Sequence, residues 1–227
     1  MDQCKTDELI FTENFMSEID TIREEVAYFM RRLYIQQLTT TSGGNISVKS
    51  GDVVLITPSA LDKGRITGEQ IGVMDMDGNM KTENLKPSIE TRLHLEIYRK
   101  RPDISAVVHA HPLAASAYAA TTRKINTTLL AESYAIVGEI AYAGYHCIGT
   151  SELAFETAAA AAAANCVIMK NHGALAVGKT LLEAFDRLEV LENTARINLI
   201  CESVLKDGIS PLTPSELRGL DVLMGRV

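Results

Sequence analysis

Among the five histidines of the chain, two stand one residue apart in AVVHAHP, residues 106–112. The residues around them are apolar or small, as in a buried strand, and side chains at i and i+2 of a strand leave the same face. His109 and His111 therefore project side by side. Neutral imidazole is a frequent metal donor, although a half-buried strand can carry such a pair for structural reasons alone. A metal site needs a third donor, and His172 in VIMKNHGAL offers one. It stands where an apolar strand gives way to a turn at Gly173, a residue that frees the backbone to bend. Three protein nitrogens with one position left open is the arrangement of a catalytic rather than a structural zinc site. The three meet only if the two strands are neighbours.

Glu90 is the acid to set beside them. It follows Pro87 and Ser88 at the head of a helix, where the helix dipole favours a carboxylate on structural grounds and where a general acid/base could equally be held. His94 stands one turn later on the same face, able to orient Glu90 or simply to pack as a helix histidine.

These residues must be positioned by the elements around them. From Asn14 to Gln37, Phe15, Ile19, Ile22, Val26, Phe29, Met30 and Leu33 recur at helical spacing, which predicts an amphipathic helix. The stretch TTTSGGNISVKSGDVVLITPSA changes to β-branched runs punctuated by Gly43-Gly44 and Gly51-Asp52, a pair of strands joined by a tight turn. IGVMDMDGNM reads as a further hairpin turning at Asp77-Gly78. KPSIETRLHLEIYRKRPD is a helix with Ser88 as its cap, AVVHAHP a strand, and LAASAYAATT a short helix of small residues. Two strands are expected between Leu129 and Ile148, then an alanine-rich helix capped by Ser151. A strand, turn and strand in CVIMKNHGALAVG precede a last long helix, TLLEAFDRLEVLENTARINLICESVL. Helices interleaved with hairpin-connected strands predict an α/β fold, a three-layer α/β/α arrangement with a central mixed, mostly antiparallel sheet.

Composition narrows the partners. At 227 residues and 46% apolar the chain is long enough for one substantial core, without a compositional break that would mark a linker; a single domain over residues 1–227 is expected. A net charge of -7 without a basic run argues against nucleic acid and against an anionic membrane surface. Aromatic residues make up 5% and tryptophan is absent, which leaves no stacking platform for single-stranded nucleic acid. No apolar stretch has the length of a membrane span, and the first residues lack the basic and apolar regions of a secretory signal, so a cytoplasmic location is expected. Cys4, Cys147, Cys166 and Cys201 form no C-x-x-C pair and read as reduced thiols.

Taken together, TSGGNISVK, ITPSALDKGRI, KPSIE, AVVHAHP and MKNHGALAVG resemble, in order and spacing, the class II sugar-phosphate aldolases of the fuculose-phosphate aldolase type, a group that also holds ribulose-phosphate 4-epimerases and adducin heads. The similarity spans Phe15 to Leu199. It implies that His109, His111 and His172 are zinc ligands, with manganese the alternative because the ligand types overlap. Glu90 matches the general acid/base that also touches the metal in the absence of substrate. Gly44, Asn45 and Ser88 match the substrate-phosphate site, to which Ser59 and the charge of Lys63 can be added. A homotetramer with sites between neighbouring subunits is implied as well.

The chain departs from the pattern in places. Ile89 stands where a second serine is usual, Ala60 replaces the glycine of the T-P-[TS]-G turn, and Leu130 takes the place of a proton-donating tyrosine, with Tyr134 close by. The reaction implied is aldol cleavage of a small ketose 1-phosphate, fuculose- or deoxyribulose-phosphate-like, to dihydroxyacetone phosphate and an aldehyde through a zinc-stabilised enediolate. Dehydratases, decarboxylases and 4-epimerases share that chemistry; Glu132, where epimerases carry an Asp, counts against the last. A non-catalytic adducin-head-like assembly module would have lost ligands that this chain keeps.

Overall fold

The structure, a computed structural model, describes residues 3–227, with side chains from residue 18 onward; Cys4 and Phe15 lie outside the described side chains. A long first helix, α1 (Gln3–Ile35), leads into β1 (Asn45–Ser50), β2 (Val53–Ile56) and β3 (Gly72–Asp75). Helix α2 (Thr91–Lys100), strand β4 (Ala106–Ala110) and the short helix α3 (Leu113–Ala119) follow. After β5 (Ile140–Ala143) come α4 (Ser151–Ala163), β6 (Cys166–Met169), β7 (Gly173–Gly178), α5 (Leu181–Ile200) and α6 (Pro214–Leu223). The strands form one seven-stranded sheet in the order β3-β2-β1-β4-β7-β6-β5. Every neighbouring pair is antiparallel except β5 and β6, which run parallel. This is the mixed, mostly antiparallel α/β/α sandwich expected from the sequence.

Strand periodicity divides the core into two layers. Ala106, Val108 and Ala110 of β4 pack with Val26, Met30 and Leu33 of α1 and with Phe185 and Leu188 of α5. Val107 points the other way, with Leu93 and Ile97 of α2 and the small Ala154, Ala158 and Ala161 of α4. His109 shares the face of Val107 and so lies under α2. The alanine run is therefore a packing surface: its short side chains let α4 and α2 approach closely.

Three local expectations are corrected and one helix is added. Helix α2 begins at Thr91 with Glu90 as its N-cap, and Ser88 lies before it; a turn closed by Thr91 N to Ser88 O at 3.0 Å leads into the helix, and the Ser88 hydroxyl accepts from Glu90 N at 3.2 Å. Thr150, not Ser151, caps α4, accepting from Leu153 N at 3.3 Å. Between Leu129 and Ile148 only one strand forms, because Ser133–Val137 coils into a π-helical turn. Finally, Thr213 and Glu216 build a capping box that starts α6 beyond the last long helix. Cys147, Cys166 and Cys201 are free thiols. Among the described residues no helix is long and apolar enough to cross a membrane.

Candidate active site

The neighbouring strands required by the histidine reading are present. Strand β4 is flanked by β1, with Asn45 opposite His109, and by β7, with His109 opposite Leu175. His111 lies just beyond the end of β4. His172 lies just before β7, in a turn closed by its own N–H to Met169 O at 3.1 Å. The turn passes through Asn171 at φ 53°, a left-handed conformation that asparagine tolerates better than most residues. Asn171 N also donates to Ala119 O at 2.9 Å, tying the turn to the end of α3.

The three rings converge. Their centroids are 4.8 Å apart for His109–His111, 4.8 Å for His109–His172 and 5.5 Å for His111–His172, and one nitrogen from each falls within 4.8 Å of the others. The His111 ring occupies space that only glycines could leave: a Cβ on Gly43 would stand 2.8 Å from its Nδ1, and one on Gly173 would stand 2.7 Å from its Cδ2. The glycines of SGGN and NHG thus shape one wall each.

Glu90 closes the cluster. Its Oε2 is 3.4 Å from His109 Nε2 and its Oε1 is 3.2 Å from His172 Nε2. His109 is fully buried and donates through Nδ1 to Ala174 O at 2.9 Å, so in the neutral ring Nε2 presents a lone pair to the carboxylate. Burial lowers the basicity of His109 and takes His111 down to about 3, the neighbouring imidazoles adding to the effect. Burial alone would raise the Glu90 carboxyl, but His109, His172 and the Asn45 amide outweigh it and hold the group ionised, well below the usual carboxylate range. His109 Nε2, His172 Nδ1 and Glu90 Oε1 are all buried without a hydrogen-bond partner. Lone pairs facing a carboxylate in a dry site are unfavourable unless a cation lies between them. Three imidazoles and a carboxylate are the donor types of a zinc-like ion, so the residues fit a divalent metal.

The remaining predicted residues divide into two groups. Gly44, at φ 68°, makes the turn into β1 so tightly that a Cβ would meet His109 O at 2.8 Å. Asn45 lies inside the site, its Nδ2 donating to Glu90 Oε2 at 2.7 Å and to Ser88 Oγ at 3.3 Å. These residues and Ser88 join the histidine cluster. Ser59 and Lys63 sit on the loop after β2; Ser59 N bonds Lys86 O at 3.1 Å, which holds the loop against the segment carrying Ser88. Lys63 is 1% exposed, and its ammonium donates to Pro58 O at 2.6 Å. Its charge therefore supports the loop from behind instead of standing at the surface, and burial lowers its pKa to about 8. Ala60 takes φ 58°, a left-handed conformation that costs a residue with a Cβ about 1 kcal/mol. Tyr134 is engaged elsewhere, its hydroxyl 3.0 Å from Asp221 Oδ2 of α6.

Sequence reasoning missed two supports. Glu192, 2% exposed on α5, accepts from Ala114 N at 3.0 Å and Ala115 N at 2.9 Å, capping the helix that follows HAHP. Its only signal was an acidic residue on the apolar face of α5. Ser47 and Tyr98, hydrogen-bonded to each other at 2.8 Å, lie behind His94; the i, i+4 spacing of His94 and Tyr98 was their signal.

Known proteins agree with this geometry. An L-fuculose phosphate aldolase of Methanocaldococcus jannaschii is 39% identical over 170 residues, 75% of this chain and 91% of that protein. A 5-deoxy-D-ribulose 1-phosphate aldolase of Bacillus thuringiensis serovar kurstaki is 32% identical over 194 residues, 83% of this chain and 89% of that one. The solved structure of an L-fuculose 1-phosphate aldolase superposes with a TM-score of 0.81 at 30% identity, covering 90% of this chain and 96% of its own. The family described as Class II Aldolase and Adducin N-terminal domain matches residues 24–199, a span that takes in every residue of the histidine and carboxylate cluster, and the chain belongs to that family.

Proposed function

We propose that the protein is a metal-dependent aldolase that cleaves a small ketose 1-phosphate, fuculose- or deoxyribulose-phosphate-like, into dihydroxyacetone phosphate and an aldehyde. The observation that carries the reading is Glu90 set against His109 and His172 with buried, unpartnered donor atoms on both sides. His109, His111 and His172, with Glu90, would hold the divalent cation, zinc or manganese. When bound, such a cation would supply Lewis-acid stabilisation of the charge that develops on the substrate's C2 and C3 oxygens as the C3–C4 bond breaks.

The chain's own groups do the rest. As the C3–C4 bond breaks the C4 hydroxyl loses its proton and becomes the aldehyde; Glu90, ionised at rest, receives that proton and passes it to C3 of the three-carbon fragment, and takes it from C3 in the reverse direction. Asn45 holds Oε2 of that carboxylate at 2.7 Å, which fixes the orientation of the other oxygen. The Gly44 backbone, Ser88 and Ser59 line the approach and take the substrate phosphate together with Asn45, while Lys63 supports the loop that carries Ser59. Ile89, 60% exposed beside Glu90, and Leu113, 77% exposed after the histidine strand, support assembly into a homotetramer with the site near a subunit boundary.

Proton transfer by Glu90 can be tested without knowing the aldehyde. Metal-loaded protein incubated with dihydroxyacetone phosphate in deuterium oxide is expected to exchange a hydrogen of the hydroxymethyl carbon, followed by proton NMR. Glu90→Gln should keep its metal and lose at least about a hundredfold of the exchange rate. Wild-type protein that holds metal and exchanges nothing would contradict the assignment.

A further inference from the structure

Behind the carboxylate lies a buried polar chain that the proposed reaction does not yet use. Asn45 Nδ2 donates to Glu90 Oε2 at 2.7 Å, and Asn45 Oδ1 lies 2.5 Å from His94 Nε2. His94 Nδ1 is 2.6 Å from Ser47 Oγ, and Ser47 Oγ is 2.8 Å from the Tyr98 hydroxyl. His94 is 0% exposed, Ser47 0%, Tyr98 2% and Asn45 4%, so water does not compete for these bonds.

The carboxylate at one end sets the direction of every bond. An ionised Glu90 only accepts, so the amide nitrogen of Asn45 must face it and the amide oxygen must face His94. His94 Nε2 must then carry the proton, which leaves Nδ1 to accept from the Ser47 hydroxyl. An uncharged ring suits this role, and burial takes the His94 pKa down to about 3. The other groups facing His94 are Glu90 and Tyr98; burial raises the Tyr98 hydroxyl, which stays neutral. Without the Nε2 donor, the Asn45 amide could turn over and point its oxygen at Glu90, replacing attraction by repulsion.

Resting on the reading of Glu90 as the acid/base, we propose that His94 is a positioning residue: as the neutral Nε2–H tautomer it locks the Asn45 amide, which in turn aims the Glu90 carboxylate at the reacting carbon. The His94 side chain hydrogen-bonds neither substrate nor metal ligand in this role. Its removal should therefore lower turnover and spare binding.

The test uses zinc-loaded protein and the deuterium exchange of dihydroxyacetone phosphate. His94→Leu is expected to lower the maximal exchange rate at least tenfold, with KM for dihydroxyacetone phosphate and metal stoichiometry within twofold of wild type. His94→Gln, whose amide N–H can stand near the Nε2 position, should recover the rate to within about threefold. A rate within twofold of wild type in His94→Leu, or equal losses in the Leu and Gln variants, would overturn the proposal. Should His94→Leu fail to fold, Ser47→Ala removes the bonds on the far side of the ring, to His94 Nδ1 and the Tyr98 hydroxyl, and is expected to lower the rate about threefold at unchanged KM; an unchanged rate counts against the proposal. Nitrogen-15 NMR of histidine-labelled wild type must show His94 protonated at Nε2, and an Nδ1–H tautomer would overturn it independently. Glu90→Gln run alongside separates the two readings. Full exchange in that variant removes the acid/base assignment and the positioning role with it, whereas an inactive Glu90→Gln beside a fully active His94→Leu removes the positioning role alone.

Discussion

Lys63 shows how far a residue's type, by itself, defines its role. Read from the sequence, a lysine three residues beyond T-P-S-A supplies charge to a phosphate; in the fold its ammonium is buried on the Pro58 carbonyl. The stem packs inward because the loop after β2 must close against α1 and the turn at Thr41, whose carbonyl accepts from Lys63 N at 2.9 Å. A base whose folded pKa, about 8, lies below the ordinary lysine value of 10.5 binds fewer protons folded than unfolded between those limits. Stability from this group thus rises with pH across the window pH 8 to 10.5 and is least below it. Wild-type stability should gain on the Lys63→Met variant by on the order of 3 kcal/mol between pH 7 and pH 10.5, measured by urea unfolding at each pH. A gap that stays constant with pH would place the amine in water. The histidines, by contrast, were legible singly: H-x-H and N-H-G each bring a donor to a strand end. Their meeting was not, because pairing between strands about sixty residues apart is decided by the sheet order and not by either segment.

At the scale of elements, alternation and helical spacing located most strands and helices, and the misses fall where backbone geometry overrides pattern. Ser88 has the type of an N-cap, yet Glu90 takes that position, since a turn closed by Thr91 N to Ser88 O at 3.0 Å separates Ser88 from the helix. Of the two strands expected between Leu129 and Ile148 only one forms, because Ser133–Val137 coils into a π-helical turn that ends at Gly138, φ 66°. Helix α3 shows a dependence that no local pattern carries. Pro112 cannot cap it with a side chain, so Glu192 from α5 reaches across and satisfies two of its first amides, with Arg196 Nε balancing the charge at 2.8 Å. Glu192→Ala leaves both amides buried and unpaired. A loss of about 2–4 kcal/mol in unfolding free energy is expected from denaturant titration, and a change below about 0.5 kcal/mol would mean that water replaces the carboxylate.

For the molecule as a whole, the layer architecture follows from alternating segments that each bury one face. It was readable without the structure. Which apolar residues stay outside was not readable. Ile89 and Leu113, 60% and 77% exposed, border the site and would be unfavourable on an isolated chain. If the proposed tetramer covers them, light scattering on the purified protein should return four times the mass of the chain, and Leu113→Asp should lower that mass. A monomer at micromolar concentration would refute the assembly.

The central claim is that the His109, His111, His172 and Glu90 cluster carries out metal-dependent aldol cleavage, and the release of dihydroxyacetone phosphate tests it most directly. Metal-loaded protein is incubated with a panel of ketose 1-phosphates, and the three-carbon product is followed with a coupled reductase. Release is expected from at least one deoxy or apolar-tailed ketose 1-phosphate. It should disappear on chelation, return when zinc or manganese is restored, and stay absent in a folded His109→Ala variant that no longer retains metal. Protein carrying one metal ion per chain that releases no dihydroxyacetone phosphate from any member of the panel, or release undiminished in His109→Ala, would contradict the account.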